Sequence, residues 1–253
     1  ETARRLVMQG HRVLLHGRNR EKLEEVKRVL AALPGEGGVE SYVADLSRLS
    51  EVETLAREVM EKHDRLDVLI NNAGIFRTSE PHTPEGYDVR FVVNTLAPFL
   101  LTRRLLPLLG KSSRVVNLSS AAQAPVDLQA LKGTHTLPDE FAAYAQSKLA
   151  LTMWSRMLAL ELKDDGPVVI AVNPGSLLAT KMVKEGFGMA GNDIGIGADI
   201  LLRAALAEEF ADASGRYFDN DAGGFSQPHP DALDSGKTAG VVQAIEEILA
   251  ARD

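Results

Sequence analysis

The 253-residue chain has no cysteine, which excludes a disulfide framework, a thiolate nucleophile and cysteine-ligated zinc. Its six histidines are scattered without metal-ligand spacing. No apolar run approaches the ~20 residues that cross a bilayer, so no membrane span is expected. Basic residues are outnumbered, 28 Lys and Arg against 35 Asp and Glu, for a formal net charge of −7 with the two signs interspersed. That balance offers neither a basic stripe for nucleic acid nor a polybasic patch for anionic membranes, and favours small-molecule chemistry. Repeats and low-complexity linkers are also missing, so residues 1–253 read as a single domain. A reducing, cytoplasmic location is the matching expectation.

What is present alternates between strand-like and helix-like runs. Strands are expected at Arg12–His16, Val39–Ala44, Val68–Ile70, Arg114–Leu118, Val168–Val172 and, shorter, Arg216–Phe218. Apolar stripes mark helices between them: Leu23, Val26, Leu30 and Leu33; Val52, Leu55, Val59 and Met60; then Leu149, Met153, Met157 and Leu160 on a long helix from about Asp139 to Leu162. Further helices are expected near Asn94–Leu106, Ala198–Leu206 and Val241–Leu249, and the first ten residues read as the middle and end of a helix stopped by Gly10. This order predicts an α/β fold, a three-layer, doubly wound parallel sheet with helices on both faces. Ligands of such sheets bind beyond the carboxyl ends of the strands, where Asp45, Asn72, Ser120 and Pro174 all fall.

Tyr144 and Lys148 stand four residues apart on the long predicted helix. That spacing puts phenol and ammonium on one face, about 6 Å apart at their Cβ atoms, close enough for the cation to lower a phenol pKa of ~10. A tyrosine and a lysine at this spacing also occur on ordinary solvated helices, so the pair is weighed with its company. Asn71-Asn72-Ala73-Gly74 follows one strand, Asn94 sits within Val93-Asn94-Thr95, Asn117-Leu118-Ser119-Ser120 ends another strand, and Asn173-Pro174-Gly175 follows the next.

In this order the motifs resemble those of the short-chain dehydrogenase/reductase family, nearly end to end. The resemblance implies a Rossmann-type fold and a catalytic tetrad at Asn94, Ser120, Tyr144 and Lys148. It implies NAD(P) bound by Asn72, Ala73 and Gly74 beside the adenosine ribose, and by Asp45, followed by Leu46, at the adenine amine. A helix cap is the alternative for Asp45, since Ser47 and Glu51 follow. Tyr144 and Lys148 would meet the nicotinamide ribose, with Pro174 and Gly175 as the wall beside the ring and Thr180 at its carboxamide. Arg18 follows the strand that carries ribose recognition, and Gly17 stands where NAD-preferring relatives place an acid, so NADP(H) is expected over NAD(H). Asn94 would hold a water linking Lys148 to solvent.

Three departures matter. No glycine-rich phosphate turn occurs in the sequence, and the expectation is that the first strand and that turn, roughly 15 to 20 residues, precede residue 1. Thr180 lies one residue further from Pro174 than the family pattern. The step from Ser120 to Tyr144 is 24 residues, and its surplus, around Val126–Pro138, is expected to border the substrate mouth. Longer segments here are similar to those of retinol-dehydrogenase-like and protochlorophyllide-reductase-like members. The implied activity is interconversion of a carbonyl and an alcohol by hydride transfer, with Tyr144 as acid and base, on a small-molecule substrate that the likeness to those members makes bulky and apolar. The alternative is a catalytically quiet dinucleotide-binding regulator. Monomer and homodimer both stay open.

Overall fold

The computed structural model describes residues 1–163, 165–176, 178–179, 188 and 190–251. Helix α1 (Thr2–Met8) leads through Gly10, at φ +87°, into β1 (Val13–Gly17). Asn19 opens α2 (Arg20–Ala31) by accepting the Lys22 amide at 2.9 Å. Then come β2 (Val39–Val43), α3 (Leu49–Lys62) and β3 (Leu66–Asn71). A short α4 (Val89–Phe91), a π-helical turn (Val92–Leu96) and α5 (Ala97–Leu105) follow without a break. After β4 (Leu109–Leu118) come α6 (Leu128–Leu131), α7 (Glu140–Leu162), β5 (Val168–Asn173), α8 (Ile194–Leu206), β6 (Tyr217–Asp219), β7 (Gly224–Ser226) and α9 (Ser235–Ala250).

The two-residue periodicity of buried strands sorts the core into two layers. Val115 and Val169 pack with Leu149, Met153 and Trp154 of α7, while their neighbours Val116, Ile170 and Val172 pack with Ile200, Leu201 and Ala204 of α8. Helices therefore cover both faces, and the architecture is the expected Rossmann-type α/β fold. One aspect differs. The described strands form two sheets, β1–β2 and β3–β4–β5–β6–β7, parallel throughout except the antiparallel β6–β7 pair. Helix α1 packs against both β1 and α8, and Arg5 bridges the two parts through its ion pair with Asp199.

Several stripe readings need correction. Leu160 is 64% exposed and Val26 46% exposed. Helix α7 lies between the sheet and α9 and is buried nearly all round as far as Ala159, so its core runs through Leu151, Trp154 and Leu158. Leu160 follows Leu158 by two positions, roughly 200° around the axis, and points away. In α2 only Leu23 and Leu30 are buried, because a short two-stranded sheet receives a narrow stripe. Among the described residues no helix is long and apolar enough to cross a membrane.

Candidate active site

The floor of the rim is a buried polar strap. Asn71 and Asn117, paired across β3 and β4, are linked by Asn71 Nδ2 donating to Asn117 Oδ1 at 2.7 Å. Asn71 also donates to Thr102 on α5, and Asn117 donates to Ser155 on α7 at 2.8 Å. One residue past β4, Ser119 is hydrogen-bonded to Thr152 at 2.7 Å. Buried amides and hydroxyls satisfied in this way fix the ends of β3 and β4 to α5 and α7.

Above that floor Ser120, Tyr144 and Lys148 of the expected tetrad come together, and Asn94 reaches Ser147, next to Lys148 on α7. Asp139 starts α7 by accepting the Ala142 amide at 2.7 Å, which sets the phase that turns Tyr144 and Lys148 to the rim. Ser120, just past β4, lies beside the Tyr144 phenol, which its side chain draws downward in pKa, while its Oγ accepts the Ala122 amide at 3.1 Å. Lys148 Nζ is buried, donates to the Leu118 carbonyl at 2.7 Å, and lies 5.8 Å from the centroid of the Tyr144 ring. Asn94 occupies the π-helical turn, wholly buried, where its Oδ1 accepts from the Ile75 amide at 2.8 Å and its Nδ2 donates to the Ile75 carbonyl at 3.0 Å and to Ser147 Oγ at 2.9 Å. Its amide thus ties the turn after β3 to α7, while the helical run that contains it is capped by Asp88.

The electrostatics depart from the simple pairing. Burial pushes the Tyr144 phenol above its ordinary range, and the Ser120 side chain offsets this only in part. Burial also presses Lys148 down to about 8. The expected lowering of Tyr144 by its lysine is therefore not the dominant effect here, because the amine is aimed at the Leu118 carbonyl and both groups lie in a desolvated site.

The expected cofactor positions line the same rim. Arg18 is exposed just past β1, and Asp45, just past β2, is held below its ordinary range, burial opposing bonds from the Ser47 amide and hydroxyl and the charges of Arg18 and Arg48. Its Oδ1 accepts both Ser47 groups, at 3.0 and 2.8 Å, so it closes the turn into α3, next to Leu46. Asn72, Ala73 and Gly74 are exposed past β3. Gly175 adopts φ +117°, a conformation that favours glycine, beside Pro174, whose carbonyl accepts from Asn220 at 3.0 Å. Thr180 lies outside the described residues. These positions fit a dinucleotide at its adenosine and nicotinamide ends. Lys148 uses one of its three donors on Leu118 and is paired with no carboxylate among the described residues, so its remaining hydrogens suit ribose hydroxyls.

Sequence reading missed the groups that hold these. Phe76 packs on Tyr144 with ring centroids 5.2 Å apart, and the half-exposed Phe141 meets Phe76 edge-on at 6.3 Å. The Tyr217 hydroxyl donates to the Ser120 carbonyl at 3.1 Å, and burial pushes that phenol upward. Asp221 accepts from the Ser176 amide and from Asn173 at 2.9 Å each, fastening the loop after Gly175 to the β6–β7 hairpin. None of these belongs to a spaced motif; only proximity in the fold reveals them. The surplus segment before α7 is anchored inward, with Ala130 and Leu131 in the core and Lys132 paired to Glu247 of α9 at 2.7 Å.

Comparison with known proteins agrees with this geometry. The family model of the short chain dehydrogenases matches residues 1–189. Human retinol dehydrogenase 13 is 32% identical over 254 aligned positions, covering 92% of this chain and 76% of the relative. A crystal structure of a Mycobacterium paratuberculosis protein superposes with a TM-score of 0.79 at 29% identity, covering 98% of this chain and 87% of the other. Pseudomonas aeruginosa RhlG, solved as an active-site complex with NADP, superposes with a TM-score of 0.66 at 27% identity, covering 88% of this chain and 90% of RhlG.

Proposed function

The chain belongs to the short-chain dehydrogenase family and is a nicotinamide-dinucleotide-dependent oxidoreductase of alcohol and carbonyl groups, and from that premise we propose that it is an NADP(H)-dependent carbonyl reductase in which Tyr144 is the proton donor. The observation that carries the reading is the phenol of Tyr144 lying beside the Ser120 side chain, with the buried amine of Lys148 5.8 Å from its ring centroid. In the reductive direction Tyr144 gives its proton to the carbonyl oxygen, and the Ser120 hydroxyl donates to the same oxygen as negative charge develops there. Lys148 would hold the nicotinamide ribose, and Asn94 positions α7 against the turn after β3. The bound dinucleotide supplies the hydride. Burial keeps the phenol protonated at neutral pH, so reduction is the direction that needs no prior deprotonation.

Arg18, exposed past β1, supports NADP over NAD as a cation for the 2′-phosphate. RhlG, the relative solved with NADP, supports it too. A bulky apolar substrate is supported by the aromatic wall of Phe76 and Phe141, the latter 52% exposed, and by the likeness to a retinol dehydrogenase. A cytoplasmic location belongs to the same reading, since a cysteine-free chain needs no oxidising compartment. The test is a screen of the purified full-length protein with NADPH and with NADH against retinaldehyde, other long-chain aldehydes, ketones and quinones. Consumption of NADPH faster than NADH with an apolar carbonyl is expected; no turnover of either cofactor with any of them contradicts the proposal.

A further inference from the structure

Arg90 is 3% exposed, and its guanidinium reaches three separate segments around the tyrosine. Its Nη1 donates to the Phe76 carbonyl at 3.2 Å and lies 3.5 Å from Glu140 Oε1, while Nη2 donates to Asp88 Oδ2 at 3.0 Å. Asp88 in turn accepts the Arg90 amide at 2.8 Å, the cap of the helical run that leads to Asn94. Glu140 opens α7 one turn before Tyr144, and it also accepts the Thr78 amide at 3.4 Å. Phe76 is consequently held from two sides, its carbonyl by Arg90 and the adjacent Ile75 by Asn94.

A buried guanidinium is a poor choice for stability alone, because desolvating it cancels much of what its ion pairs return. The Nε of Arg90 has no hydrogen-bond partner among the described residues, which adds to that cost. Its bonds converge on the loop whose aromatic ring lies against the phenol. We propose that Arg90 is a positioning residue, clamping the Phe76 loop to the start of α7 so that the Phe76 ring fixes the orientation of Tyr144. This rests on the acid and base reading of Tyr144.

The experiment compares Arg90→Met, Arg90→Lys, Phe76→Leu and the double variant Phe76→Leu/Arg90→Met with the wild type, in the full-length protein. Arg90→Met and Phe76→Leu are each expected to lower kcat on the order of 10- to 100-fold, the scale of a misplaced reacting group. Both should shift the pH profile of kcat and leave NADPH affinity unchanged. Arg90→Lys should recover only part of the loss, since one ammonium cannot bridge Phe76 and Asp88 as a planar fork does. The double variant should be no worse than the weaker single, the mark of one shared device. Wild-type kcat and pH profile in folded Arg90→Met, or additive losses in the double variant, overturn the proposal. Should Arg90→Met fail to fold, Phe76→Leu decides alone, because Arg90 bonds the main chain at that position and keeps its partners; an unchanged kcat there overturns it. Tyr144→Phe separates the two readings. Full activity in that variant sinks both, whereas an inactive Tyr144→Phe beside unaffected Phe76→Leu sinks the clamp alone.

Discussion

Between β3 and β5 the groups proposed for chemistry are held by their neighbours, Lys148 on Leu118, Asn94 on Ile75 and Ser147, Tyr217 on Ser120, whereas at the end of β1 Arg18, proposed to meet the 2′-phosphate, stands in solvent. The first region belongs to the five-stranded sheet, with α7 and α8 on its faces, and the second to a two-stranded sheet covered by α1 and α2. Positions that steer a proton need fixed geometry, so the fold invests its buried polar contacts there. Positions that recognise the outer end of a cofactor need charge more than rigidity. Substitutions in the two regions should accordingly fail in different ways.

Ser120→Ala should have the largest effect among these tests. Losing a donor at the developing oxyanion lowers kcat by roughly 100- to 1000-fold, about 3–4 kcal/mol, with folding intact; steady-state kinetics beside a thermal melt checks this. Asn94→Ala leaves both main-chain groups of Ile75 without their partner. It should cost about 1–3 kcal/mol in chemical denaturation, which would be absent if the amide were only a surface cap.

Lys148 gives a pH signature of the buried region. Its pKa falls to about 8 on folding through burial, so above that pH the unfolded chain binds more protons than the folded one. The cost of this buried cation is therefore present below about pH 8 and fades as pH rises from there into the ordinary lysine range. The stability of the wild type relative to Lys148→Met should rise by roughly 2 kcal/mol between pH 7 and 9.5; a flat difference would show that the lysine is not buried. Arg18→Ala sharpens the contrast from the other side. NADPH affinity should weaken about tenfold, near 1.4 kcal/mol, with NADH affinity unchanged and unfolding altered by less than about 0.5 kcal/mol. Equal losses for both cofactors would remove Arg18 from 2′-phosphate recognition.

Much of this was legible in the chain because strand and helix periodicities differ, and because Asn, Ser, Tyr and Lys at strand ends and on α7 are chemically specific. The β4 and β5 runs, buried on both faces, read as strands at Arg114–Leu118, where only Arg114 and Asn117 interrupt the apolar residues, and at the wholly apolar Val168–Val172. What stayed hidden follows from the third dimension. The π-helical turn at Val92–Leu96 has the composition of ordinary helix, and it holds Asn94, which bonds Ile75 across the fold. Hairpin strand β7, Gly224–Ser226, is three residues long, too short for alternation to register. Phe76 and Arg90 lie 14 residues apart and look like a loop aromatic and a solvated charge until the fold buries both. The Tyr144 phenol illustrates the same limit: spacing alone suggested a cation lowering its pKa, whereas desolvation, which spacing does not encode, moves it the other way.

The account stands or falls on Tyr144 as the proton donor. Single-turnover mixing of NADPH-loaded enzyme with a reducible carbonyl, wild type against Tyr144→Phe, measures this most directly. The prediction is a loss of roughly 100-fold or more in the rate of NADPH oxidation, with NADPH binding by fluorescence titration unchanged. A Tyr144→Phe enzyme that binds NADPH normally and oxidises it at the wild-type rate would contradict it.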